Sequence, residues 1–191
     1  MFKKLPLFIL ILLGFYIQVF GQSFQDILNR NNYFEVKAEL KNNPELAQTK
    51  LDNGFYPIHL CARDSKNQSL LAILEFDSLL NKRSNNNFSA LYLAVYNKNY
   101  NAAALLYIFD SDTIFPQYEN LFSEFVNRDE LFSDFINKVD KSKEYYKQNI
   151  KYFLAGLELG IDRAKEIYGP SNFDINFCGP FNNNLLHIAC R

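Results

Sequence analysis

The sequence predicts an all-α chain, a solenoid of stacked antiparallel helix pairs with a divergent helical middle region. Three observations predict it. Apolar residues make up 48% of the chain and aromatics 16%, enough to bury a substantial core within 191 residues. Shifting the chain by 33 residues aligns two segments without a gap: Asn53, Phe55, Leu60, Phe76, Asp77 and Ser78 fall on the identical Asn86, Phe88, Leu93, Phe109, Asp110 and Ser111. Within each copy, apolar residues recur at helical spacing between polar turns. A period of that length marks a small unit that cannot bury its apolar face alone and stacks on copies of itself.

Residues 1–21 read as a secretory signal peptide. Lys3 and Lys4 supply the positive start, and Leu5 to Phe20 is a 16-residue apolar run broken only by Gln18. The run ends at Gly21, a small residue of the kind signal peptidase accepts. A spanning helix needs ~20 residues, so an uncleaved anchor is the weaker reading. Cleavage after Gly21 removes two lysines and no acid, taking the formal net charge from −1 to −3. The expected location is therefore outside the cytoplasm, secreted or periplasmic, with no membrane span after cleavage.

Residues 22–112 carry the repeat. Residues 23–48 read as a capping unit, with Val36 and Leu40 one helical turn apart. Asp52-Asn53-Gly54 is a turn in which Gly54 is free to take positive φ. Its counterpart one period on is Asn87, the next most tolerant residue. Pro57 suits the first turn of a helix, where a missing N–H costs nothing. Ile58, Cys61 and Ala62 follow at helical spacing. After the polar break Asp64-Ser65-Lys66-Asn67 a second, longer helix is expected over about Ser69 to Leu80.

These residues resemble the ankyrin repeat. Tyr56-Pro57-Ile58-His59-Leu60-Cys61-Ala62 looks like the family's T-P-L-H-x-A-A signature, and Ser89-Ala90-Leu91-Tyr92-Leu93-Ala94-Val95 is a weaker copy. Asn184-Leu185-Leu186-His187-Ile188-Ala189-Cys190 is a third copy, preceded by Asp174-Ile175-Asn176 at the family's spacing. The resemblance implies structural roles for Gly54, Pro57, His59, Leu60, Asn87, Leu91, Leu93, His187 and Ala189. In this family the motif histidine hydrogen-bonds between neighbouring loops. Tyr56 replaces the usual threonine, which places the hydroxyl–histidine bond of the motif in doubt.

Residues 113–171 depart from the register. Glu119 to Lys138 is a tandem decapeptide whose apolar residues pair at i, i+1, i+4 and i+5, a helical pattern. Ten residues at ~100° each rotate the apolar face between copies. Two short helices breaking near Asn127-Arg128 would each bury one clean face, as a degenerate repeat; a helical insertion protruding from the stack is the alternative. Leu157-Glu158-Leu159-Gly160-Ile161-Asp162 resembles the end of an ankyrin second helix. Residues 172–191 open a further repeat and stop directly after its motif, so a truncated sequence is expected.

Catalytic chemistry fails motif by motif. His59 and His187 are the only histidines and have no partner at metal-ligand spacing. Cys61, Cys178 and Cys190 form neither a disulfide framework nor a C-x-x-C pair. Cys61 and Cys190 suit a buried apolar role, and Cys178 is the expected free thiol. No phosphate-binding or nucleophile-elbow motif occurs, and the Gly-Pro pairs at 169–170 and 179–180 mark turns. The near-neutral charge gives no case for nucleic acid, and the lysines from Lys138 to Lys151, interleaved with acids, read as a solvated helix face. No cofactor is called for.

The expected function is non-catalytic protein–protein interaction with a partner the sequence does not identify. A neutralising partner of an exported toxin is the alternative, and an enzyme with a site in the middle helices lacks a convergent acid, base or nucleophile. In ankyrin-like stacks the hairpin tips and first-helix ends face the partner. The 33-residue register maps these to Asp52, Asn53, Phe55, Arg63 and Asp64, then to Asn85, Asn86, Phe88, Tyr96 and Asn97. Phe55 and Phe88 occupy one tip position in consecutive units, either as interface anchors or as rings folded down to seal the stack.

Overall fold

The computed structural model describes residues 23–76, 80–109, 111, 113, 115, 118–169, 174 and 176–180. The signal segment, His187, Ala189, Cys190 and the rest of the third motif lie outside the described residues. Among the described residues the chain is all-helical, with no strand.

Helices α1 (Phe24–Asn29), α3 (Pro57–Arg63) and α5 (Ala90–Tyr96) begin 33 residues apart, and each is followed by a longer or equal partner: α2 (Tyr33–Asn42), α4 (Asn67–Ile73) and α6 (Tyr100–Ile108). A 3-10 turn over Pro44–Gln48 follows α2. The first helices pack in one row and the second helices in another, α3 on α5 and α2 on α4 in each case across one period.

The backbone repeats with the sequence. Gly54 and Asn87 take φ of 77° and 63°, and Ser65 and Lys98 take 55° and 58°, each pair one period apart. Leu51 N–H donates to Phe55 O at 2.8 Å, and Ser84 N–H to Phe88 O at 2.9 Å. Lys66 N–H donates to Cys61 O at 3.0 Å, and Asn99 N–H to Ala94 O at 2.8 Å. At Gly54 the positive φ combines with crowding, since a Cβ there would fall on the Asn85 amide of the next hairpin.

Pro57 occupies the first turn of α3, as its fixed φ dictates. Every residue from Pro57 to Ala62 is buried, and so is every residue from Ala90 to Val95. Helix α4 has no capping side chain of its own at Lys66. Asn31 of the preceding unit serves instead, its Oδ1 accepting from Gln68 N–H at 3.1 Å and Ser69 N–H at 3.2 Å. A helix start left uncapped would strand these donors. Asn99 performs the equivalent service locally for Ala102 N–H at 3.3 Å, and donates to Ala62 O of the unit before at 3.2 Å. Side-chain amides at the turns thus stitch each unit to its neighbour.

Helix α4 ends at Ile73, short of the Leu80 that apolar spacing predicts. The chain tightens into i→i+3 bonds there, Glu75 N–H to Ala72 O and Phe76 N–H to Ile73 O.

The tandem decapeptide forms two helices, α7 (Leu121–Asn127) and α8 (Glu130–Lys141), with the break at Arg128 and Asp129. Asp129 caps α8, its carboxylate accepting from Phe132 N–H at 3.0 Å. Helix α7 packs on α5 and α8 on α6, burying Phe125 and Val126 of the first decapeptide and Phe132, Phe135 and Ile136 of the second, while Leu131 stays exposed.

Helix α9 (Lys143–Leu159) then runs back across the second-helix row, touching α4, α6 and α8. It ends before Gly160, as the Leu157 to Asp162 segment predicts, but the chain continues into another helix, α10 (Ile161–Tyr168), rather than a hairpin. Gly160 permits this with φ 92° and ψ 156°, a conformation open in practice only to glycine.

One carboxylate ties α10 to the stack. Glu75 Oε1 accepts from Tyr33 OH at 2.6 Å and Tyr168 OH at 3.0 Å, and its Oε2 lies 2.8 Å from Lys37 Nζ. Burial, together with the hydrogen bonds to Glu75, pushes both phenols well above the ordinary tyrosine range. They therefore remain donors across the accessible pH range.

Candidate partner-binding face

Hairpin tips and first-helix ends come together, Phe55 with Arg63 in one unit and Phe88 with Tyr92 and Tyr96 in the next, while α9 covers the second-helix row. Asp52, Asn53, Asp64, Asn85, Asn86, Tyr96 and Asn97 are exposed there, whereas Phe55, Arg63 and Phe88 are half-buried. Several of the polar groups already hold local partners. Asn53 Oδ1 accepts from Phe55 N–H at 3.0 Å, and Asn97 Nδ2 donates to Leu93 O at 2.8 Å.

The main feature of this face is aromatic. Ser89 starts α5, its Oγ accepting from Tyr92 N–H at 3.1 Å. That start fixes the helical phase, so Phe88, Tyr92 and Tyr96 at i, i+4 and i+8 align on one side. Phe88 stacks on Tyr92 with centroids 4.6 Å apart and planes 9° from parallel, and Tyr96 stacks on Tyr92 at 5.9 Å and 19°. Tyr118, from the next connection, stacks on the same ring at 5.8 Å and 27°, while Phe115 meets it edge-on at 5.3 Å. Tyr92 is almost fully buried, but Tyr96 is 67% exposed and Tyr118 53% exposed. The result is a ladder with a buried middle rung and two held, solvent-facing tyrosines.

One unit earlier, Arg63 stands where Tyr96 stands. Its guanidinium lies 5.0 Å from the Phe55 ring centroid and makes a two-pronged pair with Asp64. Below it, the Tyr56 ring carries two ammonium groups, Lys50 Nζ at 5.3 Å and Lys82 Nζ at 4.7 Å from its centroid. Phe55 and Phe88 both pack against the core, so the sealing role accounts for most of their surface.

His59 sits beneath this face, fully buried. Its Nδ1 accepts from Tyr56 N–H at 3.1 Å, so Nε2 carries the proton and donates to Lys82 O at 3.0 Å. The ring thereby joins two consecutive hairpins. Burial, the largest cause, holds its pKa down at about 4, and the nearby Lys50 and Arg83 charges push the same way. Burial pushes the Cys61 thiol well up, which leaves it unreactive. Cys178 is a half-exposed free thiol.

Two shallow depressions lie among the described residues. A depression of about 190 Å³ beside Phe24, Leu46 and Lys50, and one of about 70 Å³ beside Leu131, Phe135 and Cys178, both fall below the ~300 Å³ of an ordinary ligand site. Among the described residues no three metal-ligating side chains converge, and no helix is long and apolar enough to cross a membrane.

Sequence reasoning on hairpin tips reached Phe88 and Tyr96 but passed over Tyr92, although the i+4 spacing was in plain view. It also missed Tyr118, Lys50 and Lys82, which reach the face from connections with no helical periodicity. No protein-family model matches the chain, and neither a curated protein nor a solved structure matches it significantly.

Proposed function

We propose that this chain is an exported, non-catalytic protein-binding module of the ankyrin-repeat kind, which engages its partner through the hairpin and first-helix face. The observation that carries the reading is the tyrosine ladder. Tyr96 and Tyr118 are amphipathic, exposed and already fixed by stacking on Tyr92, so little side-chain freedom remains to be lost on association. The recurrence of helix pairs, turn conformations and backbone hydrogen bonds at 33 residues supports the repeat assignment.

Capture of a partner from the extracytoplasmic fraction tests the face. Tyr96→Ala with Tyr118→Ala should abolish capture while lowering the melting temperature by no more than a degree or two, roughly what exposed substitutions cost. Phe55→Ala with Phe88→Ala should melt several degrees lower, because both rings pack against the core. Full capture by the tyrosine variant would overturn the proposed face. Export is tested separately: sequencing the extracted protein from its N-terminus should begin at Gln22, and retention of Met1 would refute it.

A further inference from the structure

We infer that this face takes an acidic polypeptide segment, its carboxylates over the Lys50–Lys82 pair and its apolar side chains against Tyr96 and Tyr118. The inference rests on the proposed binding face and adds the chemistry of what binds it.

Charge is unevenly placed on the chain. From Lys82 to Lys98 it carries three cations and no carboxylate, although the whole sequence has a formal net charge of −1. That segment includes the second hairpin and all of α5, the helix bearing Tyr92 and Tyr96. From Lys50 to Asp64, the first hairpin and α3, the charges cancel. The segment that carries the ladder is thus positive in a chain whose other residues sum to a formal −1 − 3 = −4.

The two lysines on Tyr56 give that charge a location. Lys50 Nζ donates to Asn85 Oδ1 at 2.6 Å, which fixes it across the two hairpins. Lys82 is fixed through its backbone carbonyl, which His59 holds. Among the described residues neither lysine pairs with a carboxylate. Each ammonium lies over the face of the Tyr56 ring, whose quadrupole compensates a positive charge only in part. A carboxylate arriving from outside would complete the arrangement, and the hairpin that carries Lys82 leads directly into Phe88 and the ladder.

A polypeptide suits this face better than nucleic acid. Asp52 and Asp64 lie among the cations and Glu119 lies beside Tyr118, all exposed. These acids would repel a continuous phosphate backbone. A peptide can space its carboxylates to avoid them and bring side chains to the tyrosines.

The test titrates the protein, observed by NMR, with a peptide of sequence Glu-Gly-Glu-Phe-Glu-Gly repeated twice, and with the same peptide carrying lysine in place of glutamate. The acidic peptide should shift signals of Lys50, Lys82, Tyr96 and Tyr118, and lose affinity as salt rises. Lys50→Glu with Lys82→Glu should weaken it by roughly tenfold or more. Lys50→Gln with Lys82→Gln, which removes charge without reversing it, should weaken it less, with the melting temperature lowered by no more than about two degrees in both. Binding of the basic peptide alone at Tyr96 and Tyr118 would overturn the acidic class and leave the face intact. Silence from both peptides would overturn the charge inference, while the face still answers to the capture experiment. Tighter binding of an oligothymidylate than of the acidic peptide would overturn it in favour of nucleic acid.

Discussion

Leu60→Ala is expected to lower the free energy of unfolding by about 2–5 kcal/mol, the range for truncating a large buried aliphatic side chain. Leu60 is 1% exposed in α3, in the helix row where α3 packs on α5. Leu93 holds the equivalent place one unit later and is 5% exposed. A repeat stack draws its stability from the interfaces between neighbours, so a cavity at such a position weakens a junction rather than one local helix. Leu93→Ala should therefore cost a similar amount. Urea titration followed by circular dichroism measures both, and an unchanged slope would attribute the shift in midpoint to stability alone. Lys138→Ala, exposed in α8, serves as the control and should lie within about 0.5 kcal/mol of the parent. Unchanged midpoints in both leucine variants would refute the register that pairs α3 with α5.

What could be read in the sequence was what the backbone itself demands. Gly54 and Asn87 stand where the turn needs positive φ, and Pro57 stands where a helix can dispense with an N–H; such requirements are local and leave a mark on the residue type. The decapeptide break was legible for a related reason, because one straight helix would have rotated its apolar face away from the stack. The return of α9 across the second-helix row was not legible. It depends on Glu75 meeting Tyr168 and on Asn67 meeting Glu158, contacts over about ninety residues that no periodicity encodes. The end of α4 at Ile73 belongs to the same class, since the apolar run continues past it. At the candidate face the division recurs. Tyr92 and Tyr96 obey helical spacing, whereas Tyr118 and the Lys50–Lys82 pair depend on how the connections fold down.

Acid should loosen the protein through His59 before its carboxylates would do so alone. In the folded chain the ring is buried and neutral, with a pKa of about 4 against an ordinary 6.5. Between those two values the unfolded chain binds a proton at this residue and the folded chain does not. Stability contributed here is therefore complete above about pH 6.5, falls as pH drops through the window, and levels off below pH 4. The depressed pKa corresponds to a loss of about 3 kcal/mol across the window. Two local features keep the folded ring neutral through that window. Protonation at Nδ1 would remove the acceptor of Tyr56 N–H, and it would place a cation near Lys50 and Arg83. His59→Gln isolates the effect, since glutamine keeps a hydrogen-bonding side chain but does not titrate. Melting curves of parent and variant from pH 8 to pH 4 should show a parent advantage that is largest near neutrality and shrinks steadily below pH 6.5. Carboxylates titrating in the same range act on both proteins and cancel in the difference. Parallel curves throughout would mean that His59 already accepts its proton in the folded state, and the buried hydrogen-bonding scheme described for it would be wrong.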